Sequence, residues 1–438
     1  LKKYQKANDM DTFFEFFSFA DPNIRYVVIG SLLLTASSAI VGSFTFLKKK
    51  ALVGDAVAHS VLPGVCLSFI LYGEKNPIIL ILGAFATGWL SLILIDIISS
   101  KSKIKEDTAI GLILSVFFGI GIFMLTIIQK SGNAAQTGLD QILFGKAASL
   151  VGNDLIAFAV IAAILILSVW FFFKEFTLLA FDEDFASTIG LPVRGIELLL
   201  TTLTVLAVVI GIQAVGVVLM AAMLITPAAA ARFWTEKITT MVWLAAIFGA
   251  FSGLTGAYIS YIAPSMPTGP WIVVVISTIA FISFFMAPRR GILYRLNNQR
   301  KIKKQINDEN ILKVLYQLGE EEKNFYEKRT IEEILSKRKF VPVALKSGLK
   351  RLKREGYLKN DNGYWSFTRA GKHKGQRTVK LHRLWELYLT QYLRIAPDHV
   401  HDDADTIEHI LTPELEARLE KLLNYPTMDP HQSEIPYR

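Results

Sequence analysis

Cysteine is almost missing from this sequence: the 438 residues include one, Cys66. A single thiol closes no disulfide and builds no cysteine-based zinc site. It lies inside an apolar run, where a thiol serves as a small hydrophobe. Charge is scarce as well, at 19% Asp, Glu, Lys and Arg against 52% hydrophobic residues. No G-x-x-x-x-G-K-[ST] loop occurs, so the chain binds no ATP by that route. No apolar run carries the arginine ladder of a voltage sensor. Residues 1–24 lack the single clean apolar core of a cleavable signal peptide, because Glu15 interrupts the run Phe13-Phe14-Glu15-Phe16-Phe17. That segment reads as an interfacial helix.

The charge that is present falls unevenly. Residues 25–288 are apolar runs with sparse charge, and residues 289–438 have the composition of a soluble protein. A span needs about 20 apolar residues. Such runs cover 26–47, 51–72, 77–99, 107–129, 154–173, 238–262 and 270–287, and the run 195–233 is too long for one span and holds two. The reading is eight or nine transmembrane helices. Lys48-Lys49-Lys50, Lys101, Lys103, Lys105, Lys174, Arg232, Lys237 and Arg289-Arg290 fall on alternate loops, with Lys130 and Lys146 as exceptions. Positive loops stay on the cytoplasmic side. The N-terminus is then outside and the soluble tail cytoplasmic. The net charge of +9 serves topology before binding.

The second run contains Leu52-Val-Gly-Asp-Ala-Val-Ala-His-Ser-Val-Leu-Pro-Gly-Val65. Asp55 and His59 are four residues apart, so a helix puts both on one face. A hard oxygen beside a borderline nitrogen makes a minimal site for a divalent transition metal. A hydrogen bond that only packs helices would use the same two residues, but ionisable groups at membrane depth usually serve a function. Downstream, Asp182 and Asp184 open a short turn through Ala186 that stops at Gly190, with Pro192 after it. Acidic start and glycine stop mark a short helix, too short and polar to span. It suits docking into a partner's groove or serves as an ordinary connection. Gly111, Gly119, Gly121, Gly211, Gly216 and Ala228–Ala231 let helices approach closely. Pro227 interrupts the seventh span, as in helices that line transport cavities and in simple kinks.

The stretches Gly54–Gly64, Ala186-Ser-Thr-Ile-Gly-Leu-Pro192 and Ala222-Met-Leu-Ile-Thr-Pro-Ala228 resemble the metal-ion ABC importer permeases of the manganese, zinc and iron group, over about residues 25–290. The resemblance implies a multi-pass protein of the bacterial plasma membrane that works as a permease dimer. It also implies an extracytoplasmic solute-binding protein and a separate ABC ATPase docked on a coupling helix at Asp182, Asp184, Ala186, Gly190 and Pro192. Asp55 and His59 match the family's channel-lining acid and histidine. At a two-fold axis they would give two carboxylates and two imidazoles, a set that suits Mn²⁺, Fe²⁺ or Zn²⁺ better than Mg²⁺ or Ca²⁺.

The tail begins with a basic linker, residues 289–307, suited to anionic headgroups or to simple flanking of the last span. Residues 308–375 read as a winged helix-turn-helix. Ile311, Leu312, Leu315 and Leu318 line a first helix that starts near Asn307. A second helix runs Ile331 to Lys337, a third from about Val341 to Glu355, and Asp361-Asn362-Gly363 turns a hairpin. Lys346, Lys350, Arg351 and Lys353 on the third helix suit phosphate contact with DNA. A solvated face or a protein-docking module fits the same charges. In residues 376–438, His382 and Glu386 share one helical face, and His401, Asp405, Glu408 and His409 share another.

These stretches resemble the metal-binding and dimerisation domain of the iron- and manganese-dependent repressors, with the ending Tyr425–Gln432 similar as well. The resemblance implies one site from His382, Glu386 and His401 and another from Asp405, Glu408 and His409. In that family the first winged-domain helix also supplies ligands. Asn310 and Lys313 stand at those positions here, and lysine is no ligand at neutral pH.

The expected fold class is an all-α polytopic membrane protein with a cytoplasmic winged helix-turn-helix and a small helical metal-binding domain. The expected function is a permease subunit for a transition metal that is cargo and also a regulator of the tail. A membrane-anchored, metal-dependent transcriptional regulator is a second reading, although eight or nine spans exceed what an anchor needs. A permease for a metal chelate is a third, and it calls for a wide cavity rather than an Asp/His pair.

Overall fold

A backbone in a bilayer has no water to bond, so an apolar run must satisfy its own N–H and C=O groups, and a helix does this within one segment. The computed structural model describes residues 12–73, 76–130, 152–263, 266–393 and 413–437. It divides into one unit up to Tyr294 and a second from Arg295.

In the first unit the apolar runs form α1 (Pro22–Leu47), α2 (Val53–Tyr72), α3 (Pro77–Lys101), α4 (Glu106–Lys130) and α5 (Gly152–Phe171). After them come α6 (Phe173–Phe181), α7 (Glu183–Thr188), α8 (Val193–Val215), α9 (Val217–Arg232), α10 (Ile238–Ile262) and α11 (Thr268–Met286). Among the described residues seven helices are long and apolar enough to cross a membrane, or eight if α5 and α6, bent by 68°, count as one span, and α9 is a shorter apolar helix. Local chemistry sets the ends. Asp21 accepts the Asn23 N–H at 2.8 Å and Asn76 accepts that of Ile78 at 3.1 Å, each before a proline in the first turn.

The long run from 195 to 233 breaks at one residue. Gly216 adopts φ 90°, a backbone region that costs other residues energy. It lets α8 stop at Val215 and α9 start at Val217. Helix α9 then packs against α1 so closely that a Cβ on Gly42 would clash with the Leu224 carbonyl. Packing of this kind replaces the hydrophobic effect, which is weak between helices in lipid. At the other end of the sequence order, residues 12–18 are helical. Phe16 is buried against Tyr258 and Tyr261, with ring centroids 5.0 and 5.4 Å away.

The second unit is built on α12 (Ile292–Glu321), α13 (Ile331–Lys337), α14 (Pro342–Arg354), β1 (Leu358–Asp361), β2 (Tyr364–Phe367), α15 (Arg369–Tyr392) and α16 (Pro413–Leu422). The first of these corrects an expected boundary, since the helix begins at Ile292 and takes in most of the basic linker. Its residues explain this: Lys, Arg and Gln are good helix formers, and neither Gly nor Pro occurs between Gly291 and Gly319. Ile311, Leu312, Leu315, Ile334, Leu345 and Leu349 form the core with the wing residues Leu358, Trp365 and Phe367. Strands β1 and β2 pair antiparallel, with Asp361 opposite Tyr364. Asn362 and Gly363 between them have φ of 50° and 94°, the two-residue turn that matches strand twist. Leu384, Leu387, Leu419, Leu423 and Ile435 form a second small core between α15, α16 and the C-terminal segment.

Candidate metal site

Asp55 lies in the first turn of α2, where the helix dipole favours a carboxylate. His59 follows one turn deeper. Its Nε2 is 3.5 Å from Asp55 Oδ1, with the two side chains 17% and 38% exposed. That is long for a hydrogen bond. It matches the edge of a metal polyhedron: two ligands about 2.1 Å from an ion at a tetrahedral angle stand about 3.4 Å apart. The imidazole is held from the side by Phe118 of α4, edge-on at a centroid distance of 4.8 Å. The other ring nitrogen, Nδ1, is buried and has no hydrogen-bond partner among the described residues. Pro63 inside α2 has no N–H, so the carbonyl of His59, four residues earlier, lacks its usual helical donor. The pair is therefore oriented by packing rather than saturated by hydrogen bonds. Among the described residues no third His, Cys, Asp or Glu joins it, so one chain offers two ligands.

The end of α2 that carries Asp55 is tied by a charge cluster. Lys48 and Lys50, in the link after α1, both donate to Glu197 Oε1 of α8, at 2.7 and 2.9 Å. Glu183 of α7 is 3.9 Å from Lys48, and Glu106 of α4 is 4.0 Å from Lys50. Burial pulls the Lys50 ammonium down, but Glu197, Glu106 and Asp96 outweigh it and hold the group above its ordinary value. The cluster brings the link, α4, α7 and α8 to one end of the bundle, where the positive-loop reading puts the cytoplasm.

The short helix α7 is that expected from the sequence. Asp182 caps it by accepting the Phe185 N–H at 2.9 Å, Ala186 is buried, and Gly190 turns the chain at φ 84°. Asp184 and Pro192 line an open groove of about 460 Å³ beside it, with Glu183, Leu191 and Arg194. Phe185 on this helix and Ile189 directly after it are exposed. The sequence reading passed over both, although two apolar residues in an acidic loop are a usable signal.

In the second unit His382 and Glu386 are buried on α15, with Nε2 2.9 Å from Oε1. A buried imidazole beside a buried carboxylate fits Mn²⁺, Fe²⁺ or Zn²⁺ as part of a site. His401, Asp405, Glu408 and His409 lie outside the described residues, as does Lys146. Asn310 and Lys313 are buried on α12, and Asn310 Oδ1 has no hydrogen-bond partner among the described residues. On α14, Lys346, Lys350 and Lys353 are exposed. Arg351 differs from them: it forms a two-pronged ion pair with Asp308 of α12, at 2.7 and 2.8 Å.

Three cations of α15 went unread in the sequence. Arg377 and Lys380 hold Glu416 of α16 at 2.8 and 2.6 Å, and Arg383 holds Glu320 of α12 at 2.7 Å and Asp429 at 3.5 Å. Their spacing of three residues on one helix was the available sign.

Comparison with known proteins gives two family matches. Residues 20–287 match the ABC 3 transport family. Residues 368–437 match the iron dependent repressor, metal binding and dimerisation domain. The manganese transport system membrane protein MntC of Bacillus subtilis is 42% identical over 408 residues, covering 92% of each chain. The zinc transport system membrane protein TroC of Treponema pallidum is 41% identical over 284 residues, 65% of this chain and 95% of that protein. Among solved structures, PsaBC from Streptococcus pneumoniae in complex with Fab is 35% identical with a TM-score of 0.57, covering 63% of this chain and 96% of the other.

Proposed function

The chain belongs to the ABC 3 transport family, and from that premise we propose that it is the membrane pathway of an importer for a divalent transition metal, Mn²⁺ first and Zn²⁺ or Fe²⁺ next. The observation that carries the reading is the Asp55–His59 pair, whose 3.5 Å separation suits two ligands of one ion inside an apolar bundle. A cargo ion should meet few protein ligands, since a full cage would trap it. One chain gives one oxygen and one nitrogen, and a second copy at a two-fold axis supplies the same again. The likeness to a manganese system over 92% of each chain and the shorter likeness to a zinc system support that cargo class.

ATP is hydrolysed by a separate subunit, which docks at α7 and its groove through Phe185, Asp184, Ile189 and Pro192. An extracytoplasmic solute-binding protein delivers the ion. The tail is cytoplasmic, on the side of the positive loops. There His382 and Glu386, with His401, Asp405, Glu408 and His409, hold the same class of metal and report its internal level to the permease. A bound ion would supply a fixed positive charge beside His382 and Glu386. Exposed Lys346, Lys350 and Lys353 give α14 a face for DNA phosphates.

The test is elemental analysis of cells that depend on this transporter. Asp55→Ala and His59→Ala should each abolish accumulation of Mn²⁺, or of Zn²⁺ or Fe²⁺, while the protein stays in the membrane. Accumulation that survives both substitutions overturns the assignment.

A further inference from the structure

We propose that Glu197 is a positioning residue: through Lys48 and Lys50 it couples movement of α7 to the geometry of Asp55 and His59. This rests on the reading of α7 as the ATPase-docking helix and of the Asp/His pair as the cargo site.

The connections are short and few. Helix α7 ends at Thr188 and α8 starts at Val193, with the Gly190 turn between them, so displacing α7 displaces the first turns of α8. Glu197 lies in those turns. Its Oε1 is the shared acceptor of Lys48 and Lys50, at 2.7 and 2.9 Å. Lys48 follows the last residue of α1, Lys50 lies in the link, and Lys49 between them has a left-handed φ of 61° that turns the chain. The link then runs straight into α2, where Asp55 is in the first turn.

The same ammonium reaches the other wall of the site. Lys50 is 4.0 Å from Glu106 at the start of α4, and Phe118 of α4 is the ring that holds the His59 imidazole. Lys48 also has a direct arm to α7, since Glu183 lies 3.9 Å away. A second buried contact, Thr45 Oγ1 to Thr204 Oγ1 at 3.2 Å, keeps α1 and α8 in step.

Through Lys50 and the link, Glu197 thus reaches both elements that set the ligand pair, and it moves with the helix the ATPase would push. The side chains of Lys48 and Glu197 are 8% and 32% exposed, so water screens this contact only in part. A ligand edge of 3.5 Å grips one ion. Widening it by about 1 Å takes one ligand outside bonding distance, which is a release step. A passive brace would hold the same helices without linking hydrolysis to release, and the two roles predict different ratios.

The experiment uses the complete transporter, with its ATPase and solute-binding protein, in proteoliposomes with Mn²⁺ as the cargo probe. It reads Mn²⁺ carried per ATP hydrolysed. Glu197→Gln should lower that ratio by about tenfold, within the usual range for coupling between two sites. Glu197→Asp keeps a carboxylate acceptor for Lys48 and Lys50 and should hold the ratio to within about threefold of wild type. Lys50→Gln removes one donor to Glu197 and the contact with Glu106, lies outside the docking helix, and should lower the ratio by about fivefold. This variant decides the matter if Glu197→Gln fails to assemble.

A ratio that stays at the wild-type value in the assembled Glu197→Gln complex, or in Lys50→Gln when that complex does not form, overturns the proposal and leaves the cluster a brace. Asp55→Ala separates the two levels. Wild-type uptake in that variant refutes the cargo site itself, whereas lost uptake with an unchanged Glu197→Gln ratio refutes only the coupling.

Discussion

Glu386 offers a perturbation whose size follows from the structure. Its carboxylate is buried on α15, 2.9 Å from His382 Nε2, in a unit that runs from Arg295 to Arg438. If the tail holds Mn²⁺ only when folded, a free concentration one hundred times Kd stabilises it by about 2.7 kcal/mol. A unit of that length gains about 3 °C of midpoint per kcal/mol, so Mn²⁺ should raise its unfolding midpoint by about 8 °C. Glu386→Gln keeps the shape and removes the charge. Affinity should fall at least about a hundredfold, the upper range for changes one shell further out. At the same Mn²⁺ concentration the stabilisation then shrinks to about 0.4 kcal/mol, a shift of about 1 °C. The assay is hydrogen exchange of α15 peptides in the intact chain, followed against temperature with and without Mn²⁺. Equal shifts in the two proteins, or no shift in either with Mn²⁺, Fe²⁺ or Zn²⁺, would refute the reasoning.

Other outcomes follow from particular contacts. Burial pushes the Glu416 carboxyl up, but hydrogen bonds from Lys380 and Arg377 outweigh it and hold it below the usual 4.5. A depressed value stabilises above the unfolded one, so this contribution is complete above about pH 4.5 and is lost as pH falls through the lowered value. Glu416→Gln should cost about 2 kcal/mol at neutral pH and remove that acid sensitivity, as read by thermal unfolding at pH 7 and pH 4. If α14 meets DNA, alanine at Lys346 or Lys350 should reduce the salt slope of duplex binding by about one each. Arg351→Ala should instead loosen the winged domain, because it breaks the Asp308 pair. His382→Ala should change how steeply Mn²⁺ uptake falls as internal Mn²⁺ rises, measured by tracer uptake in preloaded cells, and an unchanged response argues against feedback by the tail.

The apolar helices were legible because a bilayer leaves an apolar chain one local solution, and the count of spans needs only length and composition. The hairpin at Asn362-Gly363 and the stop at Gly190 were legible because each uses a residue suited to φ above zero. Asp55 and His59 could be paired because four residues is the helical repeat. What lay hidden was long-range. Glu197 is 149 positions from Lys48 in sequence, and no local pattern joins them. The α5–α6 bend at Phe172 has neither Pro nor Gly, the usual marks of a kink. Arg351 looked equivalent to its lysine neighbours until Asp308 was found beside it. The early start of α12 was missed because a basic run reads as linker when charge is weighed above helix propensity.

The central claim is that the cargo ion passes between Asp55 and His59. Asp55→Asn tests it most directly, since the amide keeps size and helix while removing the charge that a divalent ion needs. In proteoliposomes holding equal amounts of assembled transporter, initial Mn²⁺ uptake should fall at least about a hundredfold, as expected when a metal ligand is lost. Uptake at the wild-type rate would contradict it and place the pathway elsewhere in the bundle.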